Sequence, residues 1–129
     1  MAKEKWNGRQ LLVGIDIGST TTKVVAADKV SGEILYTDYS RHHANQVQSV
    51  IHILKQLSEA FPAARIRLAL TGSGAKTIAD RLGLPFDQEV VANSIVLREK
   101  YPQVRTAIEL GGQDAKIIFF RKDEATGDL

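Results

Sequence analysis

Leu11-Leu12-Val13-Gly14-Ile15-Asp16-Ile17-Gly18-Ser19-Thr20-Thr21-Thr22-Lys23-Val24-Val25-Ala26-Ala27 is the stretch whose reading decides the fold. It opens with a short apolar run closed by a carboxylate, the pattern of a buried strand. Gly18-Ser19-Thr20-Thr21 is a turn, and Thr22 to Ala27 reads as a second strand rich in β-branched residues. Ser31-Gly32 marks another tight turn. Glu33 to Ser40 then alternates, with Ile34, Tyr36 and Asp38 on one face and Leu35, Thr37 and Tyr39 on the other. Three strands joined by such short turns make an antiparallel meander.

The pattern changes beyond the meander. Asn45 suits an N-cap, and Val47, Val50, Ile51, Leu54 and Leu57 follow helical spacing up to Pro62. Ile66 to Leu70 is a β run, and Gly72-Ser73-Gly74 leads into a helix near Ala75–Leu82 that Gly83 and Pro85 stop. The residues predict a further helix over Asn93–Tyr101, a strand over Thr106–Leu110, a turn at Gly111-Gly112 and a strand over Ala115–Arg121. A meander followed by helix–strand alternation implies an α/β fold: a mixed sheet with helices on its faces.

Composition narrows the function classes. The chain has 129 residues, one domain's length. Its net charge of +2 is too small a surplus to suggest nucleic acid. No cysteine is present, so this chain supplies no disulfide, thiolate zinc site or iron–sulfur ligand. No apolar run approaches the roughly 20 residues that span a bilayer. These features lead us to expect a cytoplasmic protein without a membrane partner. The polar residues 1–10 are expected to form a flexible tail, with Lys3, Lys5 and Arg9 solvated.

Two turns carry chemistry. A strand ending in Asp16 followed by Gly18, Ser19, Thr20 and Thr21 sets small hydroxyls and backbone N–H groups at a hairpin tip. Such a tip can receive an anion, although glycine–threonine tips also occur without one. Lys23 adds charge, and Asp16 is suited to Mg²⁺, directly or through water. The plan recurs weakly in Glu109-Leu110-Gly111-Gly112-Gln113-Asp114-Ala115-Lys116, again an acid, a glycine turn, polar residues and a lysine. Two such hairpins could close on one polyphosphate from two sides.

Ile15-Asp16-Ile17-Gly18-Ser19-Thr20-Thr21-Thr22-Lys23 resembles the first phosphate motif of the actin, Hsp70 and sugar-kinase superfamily. Glu109 to Lys116 is similar to the second phosphate motif of the activator ATPases of 2-hydroxyacyl-CoA dehydratases and benzoyl-CoA reductases (the BadF/BadG/BcrA/BcrD type). Thr71-Gly72-Ser73-Gly74 resembles that family's Thr-Gly-x-Gly segment, and Glu89 to Lys100 sits where the family has the helix leading to the second motif. The resemblance implies ribonuclease-H-like lobes with ATP or ADP and Mg²⁺ in the cleft. It implies an activase that drives an electron from an iron–sulfur cluster into a CoA-ester dehydratase or reductase, acting as a homodimer. On it, Asp16 belongs to Mg²⁺, and Gly18, Ser19, Thr20, Thr21 and Lys23 hold the β/γ-phosphates. Gly111, Gly112, Gln113 and Asp114 face the terminal phosphate, with Asp114 as a second catalytic acid.

There are three departures. Glu109 stands where the family has Asp, which weakens its assignment to Mg²⁺. The cluster cysteines and the adenosine-binding region of the second lobe are absent. The expectation is therefore a fragment, with a first lobe over residues 11–103 and the opening hairpin of a second over residues 104–129. Such a fragment would not hydrolyse ATP efficiently, and the cluster would belong only to the full-length parent.

Other readings compete. A small-molecule kinase or filament-type ATPase of the same superfamily would need a catalytic acid, for which Asp80 and Asp87 are candidates. A nucleotide-free interaction module is a third reading, against which the intact Asp16 to Thr20 segment argues. Gly72 to Thr77 lacks the glycine before Lys76 that a Walker A loop requires, and reads as a strand-to-helix turn. His42, His43 and His52 read as solvated, Trp6 as covering a sheet edge or disordered, and Ile117 to Phe120 as a core strand of the parent.

Overall fold

The computed structural model describes residues 5–110, 115–122 and 124–126. The chain groups into two compact units, Met1–Asp87 and Gln88–Leu129.

The first unit is built on the meander. Strands β1 (Gln10–Ile17), β2 (Thr21–Asp28) and β3 (Ile34–Arg41) pair antiparallel in sequence order. Helix α1 (Gln46–Ala60) then carries the chain across the sheet to β4 (Arg65–Thr71), which pairs parallel with β1. The sheet order is β3-β2-β1-β4. Asn45 caps α1 as its spacing predicts, its side chain accepting from Gln48 N–H at 3.3 Å. Helix α2 (Lys76–Leu82) ends at Gly83, whose φ of +65° suits a residue without Cβ.

Burial alternates strictly along β1, with Leu11, Val13, Ile15 and Ile17 inward. Thr22, Val24 and Ala26 of β2 share that face, and Val50, Ile53 and Leu57 of α1 pack over it. Burying each of the Leu, Ile and Val side chains contributes roughly 1.5–3 kcal/mol. The apolar run reads as a strand buried on both faces, but only one face is covered. Leu12 and Val25, on the other, are 43% and 42% exposed.

Three details depart from the sequence reading. A register shift between Ala26 and Ala27 pairs Ala27 with Ile34, next to the Ala26–Tyr36 pair. This bulge switches the side-chain phase, so Ile34 is exposed while Leu35 and Tyr36 pack against the core. Trp6 belongs to the core, its ring 4.8 Å from Phe61 in an edge-to-face contact. Arg9, read as solvated, donates from Nε and Nη2 to Asp28 Oδ2 at 3.1 and 2.5 Å.

The second unit consists of α3 (Glu89–Lys100) and the antiparallel pair β5 (Thr106–Leu110) and β6 (Ala115–Phe119). Helix α3 starts four residues before Asn93, where the resemblance places it. Gln88 makes no side-chain cap bond, so no capping signal marks the start. Asn93 Nδ2 donates to Glu109 Oε2 at 2.6 Å, and Lys116 Nζ to Glu89 Oε2 at 2.5 Å. Ile118 is buried, while Ile108, Leu110, Ile117 and Phe119 on the other face of the pair are exposed. No helix among the described residues is long and apolar enough to cross a membrane.

Candidate functional site

Asp16 is the penultimate residue of β1, in register with Lys23 on β2 and Thr71 on β4. Its Oδ2 lies 3.7 Å from Lys23 Nζ. Lys23 Nζ also sits 5.6 Å from the centre of the Tyr39 ring. Thr71 Oγ1 donates to the Asp87 carbonyl at 2.6 Å. Leu70 accepts from Asp87 N–H and donates to the Pro85 carbonyl. Pro85 to Asp87 thus runs along β4, which places Asp87 at the strand end that carries Asp16 and Thr71. Asp80, by contrast, is exposed on α2, 4.0 Å from Lys76.

The turn between β1 and β2 is tethered from its inner side. Gly18 N–H donates to Thr21 O at 2.9 Å and Gly74 N–H to Ile17 O at 2.8 Å. His42 N–H donates to Thr20 O at 3.2 Å. The Gly18 carbonyl accepts from Gln46 Nε2 at 3.2 Å and lies 2.8 Å from His42 Nε2. Among the described residues no group accepts from the N–H of Ser19 or Thr20. These two exposed residues carry the donors and hydroxyls the sequence singles out.

The Gly72 to Gly74 segment closes against this turn. Gly72 has φ +102°, and a Cβ there would collide with the Ile17 carbonyl and with Asp16 Oδ1. A Cβ on Gly74 would collide with the Gln46 side chain. Beside the turn is an open hollow of about 740 Å³, lined in part by Ser19, Gln46, Ser73, Thr77 and Arg81. Its walls combine these hydroxyls, an amide and one guanidinium with the apolar side chains of Val47, Ile78 and Leu82.

Asp16, Gly18, Ser19, Thr20, Thr21 and Lys23 thus lie together at one end of the first unit. Glu109 belongs to the second unit, where it bonds Asn93. The expected second phosphate turn, Gly111, Gly112, Gln113 and Asp114, lies outside the described residues. Sequence reasoning missed His42, Gln46 and Arg81. His42 is 5% exposed rather than solvated, and no spacing signal marks it. Gln46, one residue past the N-cap, is the one that α1's start position could have flagged.

A single carboxylate with neighbouring hydroxyls fits Mg²⁺, which keeps several waters and binds through one or two carboxylates plus substrate phosphates. No cluster of three His, Asp or Glu side chains suited to a metal occurs among the described residues.

No protein-family model matches the chain, and no curated protein does. Solved structures do. Component A of Acidaminococcus fermentans (R)-2-hydroxyglutaryl-CoA dehydratase superposes with a TM-score of 0.68 at 23% identity, over 92% of this chain and 44% of that one. An exopolyphosphatase from Cytophaga hutchinsonii gives 0.60 at 15% identity, over 89% and 48%. A ROK-family transcriptional regulator homologous to the E. coli MLC protein gives 0.56 at 14%, over 88% and 37%. The chain spans less than half the length of each of these proteins. The fold is ribonuclease-H-like, of the actin-like kind, with the meander β3-β2-β1 as its signature.

Proposed function

We propose that the chain is the phosphate-binding part of an actin-like ATPase that activates a CoA-ester dehydratase or reductase. The observation that carries this is the β1–β2 turn beside Asp16, tethered on its inner side, with Ser19 and Thr20 exposed and their N–H groups without an acceptor among the described residues. The likeness to a dehydratase component points to the activase.

On this reading Gly18, Ser19, Thr20 and Thr21 receive the β/γ-phosphates of ATP or ADP through N–H and hydroxyl donors. Lys23 neutralises part of the charge, and Asp16 holds Mg²⁺ through water or directly. The metal supplies electrostatic stabilisation of the phosphates when bound. Gly111, Gly112, Gln113 and Asp114 contribute from the second lobe, with Glu109 as a further ligand. The complete protein carries the cluster, works as a homodimer and passes the electron to its partner.

Titration of the 129-residue chain with Mg·ADP, followed by amide NMR, tests this. Shifts saturating at residues 18–21 with a Kd on the order of 1 mM are expected. Asp16→Ala should abolish them. No shift at those residues would sink the reading.

A kinase is the second reading, and one observation favours it: Asp87 stands at the same strand end as Asp16. In the complete protein a kinase requires Asp87→Asn to abolish transfer to a hydroxyl acceptor while nucleotide affinity stays unchanged. An activase tolerates that change.

A further inference from the structure

We infer that His42 and Gln46 are positioning residues, which hold the Gly18 peptide in the orientation that presents the turn to a phosphate or pyrophosphate group. The inference rests on the proposed phosphate site and adds to it two residues that the sequence motif does not contain.

The geometry is specific. His42 Nδ1 lies 3.1 Å from Ala44 N, which donates to it. With Nδ1 an acceptor, the neutral imidazole carries its proton on Nε2, which therefore donates to Gly18 O at 2.8 Å. Gln46 Nε2 adds a second donor to the same carbonyl at 3.2 Å. A trans peptide is planar, with C=O and N–H pointing in opposite directions. Drawing the Gly18 carbonyl inward therefore turns the Ser19 N–H outward. His42 fixes the far side of the turn as well, through its own N–H to Thr20 O.

The segment that supplies the clamp is bent to do so. His43 and Ala44, between the two clamping residues, have φ of +49° and +64°. This left-handed region is unfavourable for side chains with a Cβ. A buried ring with both nitrogens bonded holds that bend in place. Gln46 is fixed from its other side by Gly74, which leaves no room for a Cβ.

The test uses the 129-residue chain and three variants. Gln46→Met keeps the volume and removes the donor. His42→Ala removes the ring, and His42→Gln restores a donor at a reach similar to Nε2. Two quantities are measured by NMR: the affinity for Mg·pyrophosphate, and the exchange protection of the Gly18 amide that donates to Thr21. Gln46→Met and His42→Ala should each weaken binding about fivefold or more and lower that protection. His42→Gln should recover at least part of both. If the parent chain binds and Gln46→Met and His42→Ala bind equally well with unchanged protection, the clamp is wrong and the phosphate site stands. If His42→Ala merely unfolds, Gln46→Met decides alone. No binding by the parent chain overturns the phosphate site and the clamp's purpose together.

Discussion

Asp16 faces Lys23 directly across the antiparallel β1–β2 pair, Oδ2 to Nζ at 3.7 Å. Glu109 and Lys116 hold the same cross-strand relationship in the β5–β6 pair. The weak echo between the two sequences is therefore an echo of register, with acid and lysine opposite each other in both strand pairs. In the first hairpin the carboxylate and ammonium approach each other. In the second, Glu109 bonds Asn93 and Lys116 pairs with Glu89, both on α3.

The Asp16–Lys23 pair is half-exposed, so solvent screening leaves it little weight in folding. Lys23→Met should change the unfolding free energy by less than about 0.5 kcal/mol. The same change should weaken Mg·pyrophosphate binding measurably. Denaturant titration checks the first outcome and NMR titration the second. A stability loss with unchanged affinity would remove Lys23 from the site.

Gly72 and Gly14 should respond oppositely to alanine. At Gly72 the added Cβ meets the Ile17 carbonyl and the Asp16 carboxylate, on a backbone with positive φ. Gly72→Ala should cost about 2–3 kcal/mol and disturb the Asp16 carboxylate. Gly14 lies mid-strand, and a Cβ there would meet nothing within 4 Å. Gly14→Ala should therefore stabilise by about 0.5–1 kcal/mol, since it removes unfolded-state freedom. Urea unfolding of both variants measures the contrast.

Trp6 is the chain's one tryptophan, and it packs edge-on against Phe61 with Lys5 Nζ and the Arg9 guanidinium 4.8 and 4.7 Å from its ring centre. Trp6→Ala should destabilise the first unit by about 3 kcal/mol. Trp6→Phe, retaining much of the contact, should recover over half of this. A stability unchanged by Trp6→Ala would place residues 5–9 outside the cooperative fold.

Asp28 sets an acid limit. Its carboxyl is held below the usual carboxylate range, first by the Ser31 backbone N–H and then by the Arg9 guanidinium. A depressed folded-state pKa stabilises the fold above the unfolded value near 3.8, and that stability is lost as pH falls through the folded value. Asp28→Asn should therefore flatten the fall of the unfolding midpoint below about pH 4. A parallel acid limb in parent and variant would show that Asp28 does not contribute.

Much of the fold is legible in the residues because its signals are local. A continuous apolar run marks β1, β-branched residues mark β2, helical spacing and the Asn45 cap mark α1, and glycine with proline ends α2. The start of α3 is not legible, because Gln88 supplies no cap. The phase of β3 is not either. The bulge opposite Ala27 depends on cross-strand pairing, which a single strand's pattern does not encode.

The candidate site divides in the same way. The sequence by itself determined the order of elements, the acid at the end of β1 and the glycine–hydroxyl turn after it, since each depends on neighbours in the chain. Only the tertiary structure decided that His42 and Gln46 reach back to Gly18, that Gly72 makes room for Asp16, and that Asp87 comes to Thr71. Those relationships join residues far apart in sequence. They exist because parallel pairing of β4 with β1 and the packing of α1 bring three separate loops to one end of the sheet.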